Sequence, residues 1–299
     1  RGNFSQMPKS AYRKTPVNNE QINFIERFIK ADASYKDGMA TRVVDSIRGC
    51  LMAGAAGDAL GYKVEFMNRQ AILSRFGENG ITKFVLDDKG KALISDDTQM
   101  TLFTANGLLM GITRVCMRGI GGGPEGYVDY LDWYYTQTGK KIDNDWHCTW
   151  LRDLSQMAHV RSPERTCLTA CEDMFQGKIV SNDSKGCGGI MRVAPMALFG
   201  ARYDPSGVKI LAEAGGEIAM RTHKHPLGFL PASLLSVLLY KVVPMSVKQV
   251  REDIDRIVSE TLNILDVIYE GKYTNSKRHL KKLTEKAMRL AHSNMSDAD

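Results

Sequence analysis

The sequence predicts an all-α fold, on three features. Apolar residues recur at alternating spacings of three and four along long stretches, the pattern of amphipathic helices. Prolines, glycines and Ser/Asp caps punctuate those stretches. No fixed repeat of about 20–50 residues is present, which argues against a solenoid and for a globule of roughly ten or more helices. At 299 residues and 43% apolar composition the chain can bury a sizeable core.

Composition also removes several classes of function. The net charge of +6 is modest for this length, and Lys and Arg are scattered, so no nucleic-acid stripe is expected. No apolar run reaches the roughly 18 residues of a membrane span, and no charged-then-apolar leader is visible. Cys50, Cys116, Cys148, Cys167, Cys171 and Cys187 form no CxxC pair. Cys167 and Cys171 lie one helical turn apart, but no His completes a zinc pattern. All six are expected to be reduced thiols in a cytoplasmic protein.

Residues 1–40 read as an arm and a short helix, ahead of a helical domain over 41–299. Arg1, Lys9, Arg13 and Lys14 with Pro8 and Pro16 suit an arm. Ile22, Ile25 and Ile29, flanked by Phe24 and Phe28, mark the short helix, and 31–38 reads as a linker. The first strong helix runs from Val44 to Gly61, with Val44, Ile47, Leu51 and Gly54 on one seam. The next position on that seam is Asp58, a carboxylate that is costly on an apolar face unless paired or bound to a cation. Gly54, Gly57 and Gly61 around it would let other backbones come close. Glu65 follows in Lys-Val-Glu-Phe, where apolar surroundings would raise its pKa; a surface acid in a loop is the plainer account.

Residues 69–93 suggest loops and a brief hairpin. Ser95, Asp96 and Asp97 then precede a helix whose buried face is expected at Leu102, Ala105, Leu109 and Ile112. One Ser or Asp suffices as an N-cap, and the helix end steadies a carboxylate. The second acid calls for another reason, and Mg²⁺ is the obvious one, although a capped helix with a spare surface Asp also fits the string. Gly119 to Gly123 matches neither a P-loop nor a dinucleotide fingerprint and reads as a loop. The aromatics of the helix from Tyr127 to Tyr135 are expected in the core, and His147 and His159 read as structural.

Gly186, Gly188 and Gly189 stand before a helix-like stretch, where exposed N–H groups would cradle a phosphate, a tight interhelical turn being the alternative. Pro226 is expected to end a helix with His223 and His225 near its C-terminus, and Pro231 to start the next, through Tyr240. Inward stripes follow at Val247, Val250, Ile254, Ile257, Thr261, Leu265 and Ile268, and at Leu280, Leu283, Ala287 and Leu290.

Five segments occur in a telling order: Gly57-Asp-Ala-Leu-Gly61 with Glu65-Phe66; Ser95-Asp-Asp-Thr98; Thr166-Cys-Leu168; Lys185-Gly-Cys-Gly-Gly-Ile-Met-Arg-Val-Ala-Pro195; and Thr222-His-Lys-His-Pro-Leu-Gly228. On them the chain, over about residues 45–299, resembles the ADP-ribosylglycohydrolases that remove ADP-ribose from modified proteins. These are of the dinitrogenase-reductase-activating or ADP-ribosyl-acceptor hydrolase type. The resemblance implies a single orthogonal multi-helix bundle with a cleft for two Mg²⁺ ions. Ser95, Asp96 and Asp97 match the first metal-ligand cluster, Glu65 an acid near the scissile ribose, and Asp58 an acid close to the metal site. Gly186 to Gly189 match the loop along the diphosphate and ribose, and His223 borders the same cleft.

One family feature is missing. Relatives carry a second cluster, Asp-x-Asp followed by Ser or Thr, near the C-terminus. Asp253-Ile-Asp255 is followed by Arg256, and Asp297-Ala-Asp299 has no Ser or Thr after it. Either the last helices are absent from this chain or half the metal cage is lost, and the first is the reading favoured here. The expected activity is Mg²⁺-dependent release of ADP-ribose from protein side chains, with arginine the foremost acceptor. Asp58, Glu65 and Asp97 are the expected catalytic residues. The alternative is an immunity protein that blocks an ADP-ribosylating toxin with residues 1–30. Neither nucleic acid nor membrane is an expected partner.

Overall fold

The computed structural model describes residues 37–118, 130–140, 150–201 and 207–293. The expectations for the arm at 1–30, Gly119–Gly123, Tyr127, His147 and Asp297–Asp299 lie outside these residues. Ten α-helices are present among the described residues: α1 (Asp37–Gly61), α2 (Arg69–Phe76), α3 (Asp96–Arg118), α4 (Leu131–Thr138), α5 (Arg165–Phe175), α6 (Ala194–Gly200), α7 (Val208–Met220), α8 (Pro226–Val242), α9 (Val247–Ile268) and α10 (Thr274–His292). The all-α expectation holds. The hairpin expected within 69–93 reduces to one antiparallel bridge, Leu86 with Ala92, and α2 fills the start of that stretch. No described helix is long and apolar enough to cross a membrane.

The core lies around α7 and α8. Leu211, Ile218, Phe229 and Leu230 are fully buried there, with Met100 of α3, Trp133 of α4 and Met196 of α6. α7 and α8 can touch because Gly216 faces Ser233 of α8 and Tyr269; a Cβ on Gly216 would lie 2.6 Å from the Ser233 hydroxyl. As expected, the aromatics of α4 are core: Tyr130, Trp133 and Tyr134 are buried.

Helix α3 is rotated from its sequence reading. Its buried residues include Met100, Phe103, Thr104 and Leu108, whereas Leu109 is 59% exposed. Polar side chains caused the error, since Gln99 and Thr104 point inward to aromatic partners. The Trp133 indole N–H donates to Gln99 at 3.3 Å, and Thr104 shares a 2.6 Å hydrogen bond with Tyr130. A pattern that sends polar residues outward turns the helix the wrong way.

α1 begins at Asp37, well before Val44. Val43 packs with Leu198, Ala201 and Val243, and Ile47 and Leu51 cover that cluster. The close backbone approach expected at Gly54, Gly57 and Gly61 is not found among the described residues, because a Cβ on any of them meets nothing within 4 Å.

The proline assignments also shift. Pro226 does not end a helix; it opens α8, while α7 stops at Met220 and Pro231 lies inside α8. Proline suits the first helical position, where its missing N–H would be an orphan anyway. The His225 imidazole serves as the cap, accepting from Leu227 N–H at 2.9 Å. On α9, Ile257, Thr261 and Leu265 are buried as the stripe predicts, but Val247 is exposed. On α10 only Leu280 of the expected stripe is buried, and Leu283 and Leu290 are exposed. Asp253 pairs with Arg256, and Asp255 with His292 at 2.7 Å, so neither acid stands ready as a metal ligand.

Candidate active site

The N-terminus of α3 is held by its own cap and by two other segments. Ser95 is its cap, with a hydroxyl that accepts from Asp97 N–H at 3.1 Å. Asp58, in the last turn of α1, adds a second cap from outside the helix. Its carboxylate accepts from Ser95 N–H at 2.9 Å, from Thr98 N–H at 3.2 Å and from the Thr98 hydroxyl. The cost of Asp58 on a helix face is therefore met by hydrogen bonds, which tie the end of α1 to the mouth of α3. The irregular segment before α5 binds the same mouth. Asp96 N–H donates to Arg161 C=O, and Glu164 N–H donates to Asp96 Oδ2, each at 2.9 Å. Within this segment Ser162 adopts φ +49, a left-handed conformation uncommon for Ser, and its hydroxyl reaches Tyr62 at 3.2 Å.

This framework crowds carboxylates. Burial, then the charges of Asp97 and Glu65, push Asp96 up to about 7, against the pull of the Glu164 N–H. Asp97 is exposed by surface area yet stands among the cleft walls; desolvation, then Asp58, Glu65 and Glu164, push it up to about 6. Glu65 is exposed in the turn after α1, the plainer account of its sequence position; partial desolvation, then the Asp58 charge, nonetheless raises it. Glu164 behaves oppositely. Burial acts to raise it, but the His223 hydrogen bond and charge, with help from Cys167 and Arg192, hold it below the usual range.

Behind Glu164 lies a relay that the sequence reading missed. The guanidinium of Arg192 is fully buried. It donates to Thr222 Oγ1 at 2.6 Å, to Ile218 C=O at 3.2 Å and to Cys167 Sγ at 3.3 Å, and stacks 4.2 Å from the Tyr130 ring centroid. Its Nε is buried without a hydrogen-bond partner. Thr222 Oγ1 lies 2.8 Å from His223 Nδ1, and His223 Nε2 lies 3.2 Å from Glu164 Oε1. Arg can only donate, so Thr222 accepts from it and donates its own hydroxyl hydrogen bond to Nδ1. The remaining imidazole proton then sits on Nε2 and points at Glu164. One signal was available: an arginine inside Ile-Met-Arg-Val-Ala-Pro has to be either exposed or engaged.

The glycine run matches this relay. Gly186 and Gly188 are crowded by Glu164, and a Cβ on either would overlap its carboxylate, while a Cβ on Gly188 would also sit 2.9 Å from Cys167 Sγ. Cys187–Gly189 forms a short 3-10 turn rather than the start of a long helix, and Gly186 N–H donates to Ser184 Oγ at 3.3 Å.

Two donor sets could hold a metal. Glu164, Cys167 and His223 place one donor atom each within 4.8 Å of one another, so His223 does meet a cysteine, though far away in sequence. That set is unsuited to a cation. Burial pushes the Cys167 thiol up to about 12, and the Arg192 guanidinium already stands beside its sulfur. Ser95, Asp96 and Asp97 offer hard oxygens, which suit Mg²⁺. Their raised carboxyl pKa values mark a place where a cation would relieve repulsion. A cleft of about 340 Å³ opens next to them, bounded by Asp58, Asp97, Thr98, Leu51, Gly54 and Met191. A larger cavity of about 700 Å³ between α9 and α10 contains none of these residues, and its lining offers no comparable chemistry.

Of the residues expected at the site, Asp58 and Asp97 line this cleft, Ser95 and Asp96 are tied to the same helix mouth, and the Asp58 charge reaches Glu65. Gly186, Gly188 and His223 meet Glu164, whereas Gly189 packs against Gly228 and Ala219. Neither the curated proteins nor the solved structures searched contain a match to the chain. The family model for ADP-ribosylglycohydrolase matches residues 39–298. That match spans nearly all of the chain and every segment of the cleft, and the chain belongs to the ADP-ribosylglycohydrolase family.

Proposed function

We propose that this protein hydrolyses the glycosidic bond between ADP-ribose and a protein side chain, arginine foremost, with Mg²⁺ held by Ser95, Asp96 and Asp97. Family membership supports a glycohydrolase; the donor chemistry of the α3 mouth supports the metal. Bound there, Mg²⁺ would orient ribose hydroxyls and lower the pKa of a water.

The chain's own residues supply the rest. Cleavage at the anomeric carbon passes through an oxocarbenium-like state, which negative charge stabilises. Asp97, facing the cleft, supplies that charge. Glu65, whose pKa is raised by desolvation and then by the Asp58 charge, exchanges a proton with the leaving group or the attacking water. Asp58 acts through Ser95 and Thr98, holding the acid pair at the helix mouth. The loop Gly186–Gly189, with His223 behind it, would lie along the ribose and diphosphate, as the resemblance implies.

One observation carries this reading: two adjacent acids at an anchored helix mouth, both with carboxyl groups driven toward neutrality by burial and then by neighbouring carboxylates. The test is release of free ADP-ribose from arginine- and serine-linked ADP-ribosylated proteins, with and without Mg²⁺. The double variant Asp96→Asn, Asp97→Asn should lose Mg²⁺-dependent release from the arginine-linked protein, and unchanged turnover would reject the assignment. The toxin-blocking alternative rests on residues 1–30, outside the described residues, and no observation in the cleft favours it.

A further inference from the structure

We infer that the outer face of α10 and the recess beside it form a docking surface for an acidic protein segment that carries an apolar anchor residue. This surface shares no residue with the acid cleft.

The net charge of the chain is modest in sum but concentrated in place. Between Thr274 and His292 stand six Lys and Arg residues and one acid, Glu285. Arg278, Lys282, Lys286 and Arg289 follow one another at spacings of four, four and three, so they share one face, and all four are exposed. Like charges at those spacings destabilise a helix. A solvated face avoids this by alternating signs, as α9 does in pairing Lys248 with Glu252 and Arg256 with Glu260. On α10, Arg278 reaches only Asn275, and among the described residues Lys282, Lys286 and Arg289 have no ion-pair partner. The helix C-terminus favours Arg289 but does nothing for Lys282 and Lys286 in the middle turns. The row is a repulsion that an anionic partner would relieve.

The surroundings of the row select the kind of anion. On one edge opens the cavity of about 700 Å³ between α9 and α10, with Leu262 and Met288 among its apolar walls and Lys281 and Arg289 among its polar ones. Glu285 also lines it, as does His292, which Asp255 holds. On the other edge Leu283 and Leu290 are exposed. A row of cations beside an apolar recess fits carboxylates flanking an apolar side chain. A lipid surface would use the cations and the leucines but leave the recess unfilled. Nucleic acid would find no aromatic ring among these residues on which to stack a base.

The test is fluorescence anisotropy on the full chain at low salt, with a labelled peptide of glutamates around one central leucine. Saturable binding is expected, weakened about fivefold or more when alanine replaces the leucine and fading at high salt. The double variant Lys282→Gln, Lys286→Gln should weaken the leucine peptide about fivefold or more. Lys83→Gln with Lys89→Gln, an equal loss of charge from exposed lysines elsewhere, should leave binding unchanged. Ser259→Trp, at an exposed position lining the recess, should erase the preference for leucine over alanine. Circular dichroism verifies that each variant is folded. No saturable binding at millimolar peptide, the same affinity in wild type and the α10 variant, or no leucine preference in wild type overturns the proposal. So does binding to phosphatidylserine vesicles or to a single-stranded oligonucleotide that is tighter than to the peptide and is lost with Lys282 and Lys286.

Discussion

Asp58 and Thr98 are joined twice: the carboxylate at the end of α1 accepts both the backbone N–H and the hydroxyl of a residue in the first turn of α3. With Ser95 N–H as a third donor, Asp58 fixes where the acid pair of α3 stands. Asp58→Asn turns one acceptor oxygen into a donor facing N–H groups. It should cost about 1–3 kcal/mol of stability, read from a urea transition with an unchanged slope. An Asp58→Asn protein as stable as wild type would show that the cap is dispensable.

The pH dependence of stability follows from the crowded acids. Asp96 and Asp97 have folded pKa values of about 7 and 6 against 3.8 for the ordinary carboxyl. The folded state therefore binds more protons between about pH 4 and 7, and stability contributed here falls as pH rises through that window. Glu164, with a lowered pKa, acts in the opposite sense at more acid pH, losing its contribution as pH falls through its folded pKa. In the absence of divalent cation, Asp96→Asn should raise the melting temperature at pH 7.5 and have little effect at pH 4. Thermal melts at both values check this, and equal shifts would contradict it.

Arg192 and Thr222 should be energetically coupled. Removing the hydroxyl with Thr222→Val strips an acceptor from a buried guanidinium and a donor from His223, at a cost of about 1–3 kcal/mol. Arg192→Lys cannot reproduce donation to Thr222, Ile218 and Cys167 together. A double-mutant cycle between the two should give a coupling of about 0.5 kcal/mol or more, whereas simple additivity would mean that the relay is not one unit.

What the sequence showed and what it hid divide along physical lines. Ser95, Asp96 and Asp97 were legible because capping and charge are local properties of adjacent residues. The aromatic core at Trp133 and Tyr134 was legible from bulk. The orientation of α3 was not, since Gln99 and Thr104 turn inward only because Trp133 and Tyr130 meet them from another helix. The start of α8 was hidden for a similar reason: whether Pro226 closes one helix or opens the next depends on the His225 cap. Glu164 was invisible in sequence, because its partners Asp96, Gly188 and His223 come from three other segments.

The account depends most on a divalent cation sitting between Asp96 and Asp97. Titration calorimetry of Mg²⁺ into the full-length protein at pH 7.5, wild type beside the double variant Asp96→Asn, Asp97→Asn, tests that directly. Saturable binding by wild type, accompanied by proton release from the raised carboxyls and lost in the variant, is the predicted result. Equal Mg²⁺ binding by the two proteins, or none by a folded wild type at millimolar Mg²⁺, would contradict it.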